Sequence, residues 1–207
     1  MVTAVKICGI TRLEDAFAAV RAGAHAIGLV FYKESARYVA PAAAGAIIRA
    51  LPPFITTVGL FVDAPAEEVR SALAQAPVQL LQFHGEETPE YCRQFGRPYV
   101  KAVRVRRGVD LLQYARDYHD AKALLLDAYV EGTRGGSGIA FDWSLVPAGL
   151  PLPVILSGGL TAENVGDAVR RVRPSAVDVS SGVESARGIK DAAKITAFIA
   201  GVRNADV

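Results

Sequence analysis

Six polar side chains stand at or just beyond the ends of apolar runs, where parallel α/β proteins place their reactive groups. They are Cys8, Arg37, Asp63, His84, Asp127 and Asp178. Cys8 ends the short run Val5–Ile7 and is followed at once by Gly9, so a strand would deliver its thiol to a turn. A thiolate at that place could act as a base or as a nucleophile. The set therefore predicts a polar mouth at which bound substrate could be transformed.

Three of these residues also have a purely structural interpretation. Free cysteine is among the most buried residue types and packs like a small hydrophobe. Asp127 could cap a helix or order a loop, and His84 could bond a backbone carbonyl. Asp127, however, ends the apolar run Ala123–Leu126, and an unpartnered carboxylate is costly to bury there. We therefore expect Asp127 to face the mouth.

The elements that would position these residues alternate along the whole chain. Eight apolar runs are typical of parallel strands buried on both faces: Val5–Cys8, Ala26–Phe31, Thr56–Val62, Gln79–Phe83, Tyr99–Val103, Ala123–Asp127, Pro153–Ser157 and Ala176–Ser180. Amphipathic patterns predict helices near Leu13–Ala22, Pro41–Leu51, Ala66–Gln75, Pro89–Phe95, Asp110–Tyr118, Asp142–Val146, Ala162–Val172 and Lys190–Val202.

The position of the glycine-rich turns favours a closed barrel over an open doubly wound sheet. An open sheet that binds a dinucleotide would carry G-x-G-x-x-G after its first strand, and the turn Cys8–Thr11 lacks that pattern. Glycines instead cluster after strands six, seven and eight, and barrels commonly bind phosphate at their last two loops. The sequence predicts one (β/α)8 TIM barrel of the α/β class over residues 1–207.

Composition and charge exclude several classes of protein. The 207 residues are 51% hydrophobic and carry a formal charge of +2 without any long basic or acidic block, so we expect no nucleic-acid partner. No signal peptide or membrane-spanning run is present, which predicts a cytoplasmic protein with no membrane partner. Cys8 and Cys92 stand far apart without a ligand-like spacing, which favours neither a metal site nor a disulfide.

The alternation of side chains along strands predicts one ion pair inside the barrel. Lys6 and Cys8 share a face of strand one, while Asp178 and Ser180 share a face of strand eight. Because these strands are neighbours in a closed barrel, we expect Lys6 to pair with Asp178 below Cys8. A cation there would favour the Cys8 thiolate. The alternative is a buried pair with a structural role only.

Seven segments, from the first predicted strand to the last, together resemble the phosphoribosylanthranilate isomerases of tryptophan biosynthesis. They are Lys6–Thr11, Arg37–Tyr38, Gln82–Glu86, Leu126–Asp127, Gly135–Gly138 with Phe141–Trp143, Leu156–Leu160, and Val177–Glu184. The resemblance implies an aldose–ketose isomerase that converts N-(5'-phosphoribosyl)anthranilate, a phosphosugar, into 1-(2-carboxyphenylamino)-1-deoxyribulose 5-phosphate. This Amadori rearrangement uses no cofactor and no metal.

The resemblance also implies a role for each matched residue. Asp127 would be the general acid that protonates the furanose ring oxygen, and Cys8 the general base that removes the C2 proton. Arg37 would lie against the anthranilate, with His84 and Asp178 as further substrate-lining residues. The phosphate would bind at Gly158, Gly159, Ser180, Ser181 and Gly182, whose backbone N–H groups can approach an anion closely.

Other expectations remain open at this stage. Gly136 belongs to the turn Gly135–Gly138, which could close over the substrate or could be a long connection without a role in turnover. The working protein would be a monomer or a homodimer. One alternative function is an isomerase of the histidine pathway, although those enzymes resemble a two-aspartate pattern and strand one here ends in Cys8. The other is a catalytically silent barrel that senses a phosphorylated metabolite. A thiol hydrolase is disfavoured because no His–Asp pair is spaced to activate Cys8.

Overall fold

Eight parallel strands close into a barrel in the order in which they occur in the chain. The structure is a computed structural model that describes residues 2–128 and 141–206. The strands are β1 Ala4–Ile7, β2 Ala26–Val30, β3 Thr56–Phe61, β4 Leu80–Phe83, β5 Tyr99–Val105, β6 Ala123–Ala128, β7 Val154–Leu156 and β8 Ala176–Val179. Their side chains are buried almost throughout, which explains why the runs are continuous rather than alternating. The predicted barrel is confirmed.

Helices surround the barrel, and each begins where the sequence offers a start signal or an apolar face. They are α1 Leu13–Ala22, α2 Pro41–Ala50, α3 Ala66–Gln75, α4 Pro89–Arg93, α5 Leu111–Asp117, α6 Val165–Val172 and α7 Ala192–Ala205. Pro41 and Pro89 occupy the first turns of α2 and α4, where a missing N–H costs nothing. In the ranges 2–128 and 141–206, no helix is both long enough and apolar enough to cross a bilayer.

The predicted helix Asp142–Val146 is only a single 3₁₀ turn, Trp143–Leu145. Asp142 accepts a hydrogen bond from the Ser144 backbone N–H and so starts the turn. Pro147, Pro151 and Pro153 follow within a few residues, and a proline cannot donate the hydrogen bonds that would extend a helix. The amphipathic pattern was therefore too short to form an α-helix between β6 and β7.

Barrel closure joins the first and last strands through a buried ion pair. In the register of β1 with β8, Lys6 lies beside Asp178. The Lys6 Nζ is 2.8 Å from Asp178 Oδ1, and both side chains are at most 7% exposed. The predicted ion pair is thus confirmed, and it lies directly below the end of β1.

One element lies outside the predicted alternation of strands and helices. After β8 the chain makes a 3₁₀ turn, Ser181–Val183, and then a short antiparallel hairpin of β9 (Glu184–Ala186) and β10 (Ile189–Lys190). The Thr11 hydroxyl donates a 2.6 Å hydrogen bond to the Gly188 carbonyl in the hairpin turn. The hairpin therefore packs beside the loop that follows β1, close to Cys8.

Candidate active site

A cavity of about 470 Å³ opens at the carboxyl ends of the strands. It is lined by nine of the residues that the sequence predicted for the site: Cys8, Arg37, His84, Asp127, Gly158, Gly159, Asp178, Ser180 and Ser181. Cavities of this size hold small phosphorylated or drug-sized ligands. The structure thus brings together at one mouth side chains that lie between Cys8 and Ser181 in the sequence.

Three of the residues predicted to face the mouth are not among those that line the cavity in the described part of the chain. Gly182 packs against the loop after β7, where a Cβ would collide with the Leu160 carbonyl oxygen. The Asp63 carboxylate accepts a hydrogen bond from the Glu86 backbone N–H and orders the loop after β3. Gly136 falls outside the described residues.

Cys8 sits at the end of β1 with only 5% of its surface exposed. Its backbone N–H donates to the Val179 carbonyl, which extends the β1–β8 ladder by one residue. Gly28 on the adjacent strand β2 makes room for the thiol, because a Cβ there would lie 2.7 Å from Cys8 Sγ and 3.1 Å from Lys6 Cε. A glycine inside a strand is the sequence signal of such a close approach.

Burial raises the pKa of the Cys8 thiol, and this effect exceeds the opposite effect of the Lys6 ammonium beside it. Asp178 pairs with Lys6 and itself raises the pKa of Cys8 further. Lys6 therefore favours the thiolate, as expected, but burial and Asp178 outweigh it and the net shift of the Cys8 pKa is upward. A charge partner can be inferred from strand register, but the loss of water around the thiol depends on every element that covers it.

Asp127 and His84 form a buried contact across the barrel mouth. His84 Nε2 lies 3.1 Å from Asp127 Oδ2, and the Ala128 backbone N–H donates to Asp127 Oδ1 at 2.9 Å. The Gln82 amide nitrogen lies 2.9 Å from His84 Nδ1, which assigns the proton of a neutral His84 to Nε2. Both oxygens of Asp127 therefore accept hydrogen bonds, and its orientation is fixed.

Gln82 is a residue that the sequence analysis missed. It is 1% exposed and stands two positions before His84 at the end of β4, so both side chains point into the barrel mouth. The same alternation that predicted the pair Lys6–Asp178 could have found it.

Glycines shape the loop after β7 into a concave surface beside Asp127. Gly158 and Gly159 both have positive φ angles, 82° and 63°. A Cβ on Gly158 would lie 2.5 Å from the Ala128 nitrogen and 2.9 Å from Asp127 Oδ1. Only glycine therefore fits this close approach between the β7 loop and the end of β6. Ser180 and Ser181 line the cavity from the neighbouring loop.

Arg37 has a buried partner that the sequence analysis did not assign. Its guanidinium makes two hydrogen bonds to Glu184, from Nε to Oε1 at 2.7 Å and from Nη2 to Oε2 at 2.9 Å. These bonds raise the pKa of Arg37. Burial raises the pKa of Glu184, but hydrogen bonds from Arg37 and Lys190 outweigh it and the net shift is downward. Both members of the pair are therefore charged.

Asp178 makes contacts in the barrel interior and also lines the cavity. Oδ1 accepts from Lys6, and Oδ2 lies 3.4 Å from the Ser157 hydroxyl. In residues 2–128 and 141–206, no three His, Cys, Asp or Glu side chains gather closely enough to hold a metal ion. The described groups can transfer protons and bind anions.

Comparisons with known proteins agree on one family. The family model described as N-(5'-phosphoribosyl)anthranilate (PRA) isomerase matches residues 5–201. An N-(5'-phosphoribosyl)anthranilate isomerase from Nitrosospira multiformis is 61% identical over 198 residues, which cover 96% of this chain and 95% of that protein. The match therefore spans nearly the full length of both proteins.

Solved structures show the same relationship. A phosphoribosylanthranilate isomerase in complex with reduced 1-(o-carboxyphenylamino)-1-deoxyribulose 5-phosphate superposes with a TM-score of 0.87 at 41% identity, covering 98% of this chain and all of that one. Monomers derived from the dimeric enzyme of Thermotoga maritima superpose with a TM-score of 0.85 at 39% identity, again over 98% of this chain and 100% of that chain.

Proposed function

The chain belongs to the N-(5'-phosphoribosyl)anthranilate isomerase family and rearranges that phosphosugar in tryptophan biosynthesis, and from this premise we propose that Asp127 and Cys8 carry its two proton transfers. One observation supports this assignment above the others. The two groups line a single cavity from β6 and β1, which are not neighbours in the barrel. A substrate between them can meet an acid on one side and a base on the other.

Asp127 is the proposed general acid that protonates the furanose ring oxygen and opens the sugar to a Schiff base. His84 can stay bonded to it in both protonation states. Nε2–H donates to Oδ2 of the carboxylate, and it can keep donating to Oδ2 when Oδ1 carries the proton that faces the substrate, because a carboxyl group retains its acceptor oxygen. Proton delivery therefore needs no movement of Asp127 away from the ring oxygen.

Cys8 is the proposed general base that removes the C2 proton and leaves an enolamine. Its raised pKa makes the thiolate scarce at neutral pH but strongly basic once formed. The step leaves a proton on Cys8 and none on Asp127. When the enolamine becomes the ketone, C1 gains a proton and the C2 hydroxyl loses one, so transfer from Cys8 to C1 and from the hydroxyl to Asp127 restores both groups.

The two ends of the substrate are proposed to bind to different loops of the cavity. Arg37 would take the anthranilate carboxylate, because a guanidinium matches a carboxylate with paired donors. The loops at Gly158–Gly159 and Ser180–Gly182 would take the phosphate through backbone N–H groups. His84 and Asp178 line the space between, and Gly136 remains a proposed closing residue that lies outside the described range.

Four wider expectations are also part of this proposal. We infer that the reaction needs no cofactor or metal, that residues 1–207 act as one barrel domain, and that the protein works in the cytoplasm. We infer a monomer or a homodimer as the working form, and the dimeric relative from Thermotoga maritima supports the second possibility. Sedimentation equilibrium over a wide concentration range decides between them.

The test follows the anthranilate fluorescence of substrate made in situ, for the wild type, Cys8→Ser and Asp127→Asn. Loss of a positioned acid or base lowers rates by about 10²–10⁴-fold, so both variants should fall by that amount while remaining folded. Cys92→Ala is the matched control, because Cys92 is buried in α4 and does not line the cavity in the described residues. A wild type no faster than the spontaneous reaction would reject the activity, and an active Cys8→Ser would reject the assigned base.

A further inference from the structure

We propose that Glu184 and Lys190, on the β9–β10 hairpin, are positioning residues for Arg37. They hold one edge of the Arg37 guanidinium so that its other edge can bind the substrate's carboxylate. The inference rests on the proposed function, in which Arg37 meets the anthranilate. It adds two residues that do not themselves touch the substrate. It also gives the hairpin, which the barrel pattern does not require, a part in specificity.

Glu184 occupies the edge of Arg37 formed by Nε and Nη2. The two hydrogen bonds run in parallel, at 2.7 and 2.9 Å, and the side chains are 15% and 6% exposed. Paired charged hydrogen bonds of this kind fix the plane of the guanidinium as well as its position. Arg37 therefore cannot turn freely within the cavity wall.

The opposite edge of Arg37, formed by Nη1 and the second N–H of Nη2, makes no hydrogen bond to any residue in the ranges 2–128 and 141–206. Arg37 lines the cavity together with Cys8. This edge presents two donors whose spacing matches the two oxygens of a carboxylate. Glu184 thus determines which edge faces the ligand.

Lys190 holds Glu184 and the neighbouring phosphate loop at the same time. Its side chain is completely buried, and its ammonium donates to Glu184 Oε1 at 2.9 Å, to the Ser180 carbonyl at 3.0 Å and to the Ser180 hydroxyl at 3.2 Å. An ammonium has three N–H donors, and these contacts use all of them. Lys190 therefore acts through Glu184 and Ser180 rather than by binding the substrate.

The hairpin is anchored firmly enough to serve as a support. The Lys190 backbone N–H donates to the buried Asp15 carboxylate on α1 at 3.0 Å, and Lys194 on α7 donates to the Glu184 carbonyl at 2.8 Å. Its turn lies against the Arg37 loop, because a Cβ on Gly188 would come within 2.9 Å of the Ala36 carbonyl oxygen. The supports of Arg37 thus come from α1, α7 and the hairpin together.

A buried charge network can also be purely structural, and the two roles predict different results. A structural loss would weaken the site as a whole and affect every ligand alike. A positioning loss would affect only ligands that carry the carboxylate. Two ligands that differ in that group alone therefore separate the roles.

The experiment measures the dissociation constants of reduced 1-(o-carboxyphenylamino)-1-deoxyribulose 5-phosphate and of the same compound without its carboxyl group, by calorimetry. The wild type should prefer the carboxylate ligand by roughly 10- to 100-fold, the range of a charged hydrogen-bonded pair. Glu184→Gln should lose about tenfold of that preference, with the second ligand changed by less than about twofold. Lys190→Met should lose the same preference through Glu184, and it should also weaken the second ligand, because it releases Ser180 as well.

Glu90→Gln is the matched control, since Glu90 lies on the exposed face of α4 and should leave both constants unchanged. Equal weakening of both ligands in Glu184→Gln, or no change in either, would overturn the proposal. If Glu184→Gln does not fold, Arg37→Lys replaces it, because an ammonium has no second edge and should lose the preference although Glu184 remains. A retained preference in Arg37→Lys would also overturn the proposal. Failure of the wild type to bind either ligand would instead contradict the proposed function.

Discussion

Cys8 shows how one residue can be a weak acid and yet be suited to remove a carbon-bound proton. Burial keeps its thiol protonated at neutral pH, and Lys6 compensates only in part. A base with a raised pKa holds an abstracted proton more tightly, which favours the transfer. Only a small fraction of Cys8 is thiolate, however, and this fraction limits the rate. The pH of the measurement therefore sets the fraction of Cys8 that is present as the thiolate and available as a base.

We expect the residual kcat/KM of Asp127→Asn, which depends on the Cys8 base but no longer on a protonated Asp127, to rise with pH through the alkaline range. The active form is the deprotonated one, and its pKa lies above the ordinary thiol value, so activity should increase up to about tenfold per pH unit between roughly pH 7 and 9. Initial rates at low substrate concentration, corrected for the spontaneous reaction, measure this profile. A flat profile over that interval would contradict Cys8 as the limiting base.

Side-chain alternation accounts for what the sequence could predict at the residue scale. It identified Lys6 and Asp178 as partners because strand geometry depends little on the rest of the molecule. It could not predict whether the pKa of Cys8 is raised or lowered, because this depends on how completely other elements exclude water from the thiol. Glu184 and Lys190 were not assigned roles because they lie in a hairpin whose strands are too short to show which side chains face the barrel.

At the scale of elements, the loops after β7 and β8 support each other through glycines. Gly182 belongs to the 3₁₀ turn after β8, and it packs so closely on the Leu160 carbonyl that a side chain has no room. The 3₁₀ turn Ser181–Val183 therefore takes its shape from the neighbouring loop as well as from its own sequence.

Gly182→Ala should weaken binding of the phosphorylated product analogue and lower stability by about 1–3 kcal/mol, because the added methyl group forces the two loops apart. Gly166→Ala is the comparison, since its Cβ would come no closer than 3.4 Å to the neighbouring atoms on α6. Alanine at a helical position should raise stability by about 0.5–1 kcal/mol. Calorimetric titration and urea unfolding measure both effects, and equal behaviour of the two variants would contradict the packing argument.

The order of elements was largely predictable, whereas the boundaries near the site were not. Each apolar run that was predicted as a strand became one, because burial on both faces leaves a simple pattern. The segment before β7 became a 3₁₀ turn because closely spaced prolines remove the donors a helix needs. The β9–β10 hairpin was missed because its strands of three and two residues are too short for any period to be visible.

For the whole molecule, the buried pair Lys6–Asp178 spans the point where the barrel closes. Both charges are removed from water, so each depends on the other for compensation. The free energy of unfolding should therefore respond very differently to the loss of one charge and to the loss of both.

Asp178→Asn should lower the free energy of unfolding by about 3–5 kcal/mol, because it leaves the Lys6 ammonium buried without a counter-charge. The double variant Lys6→Met with Asp178→Leu should cost clearly less than the two single changes added together. Urea unfolding followed by circular dichroism measures all five proteins, namely the wild type, Asp178→Asn, Lys6→Met, Asp178→Leu and the double variant. Additive costs would show that the two charges do not compensate each other.

The supports of the N-terminal part of the site come from the other end of the chain. The partner of Lys6, Asp178, lies 172 positions later in the chain, and the partner of Arg37, Glu184, lies 147 positions later. A ribosome therefore releases the segments bearing Cys8 and Arg37 long before the residues that neutralise and orient them. On a nascent chain these groups stay in water, and the candidate site is complete only once the segment bearing Asp178 and Glu184 has been synthesised.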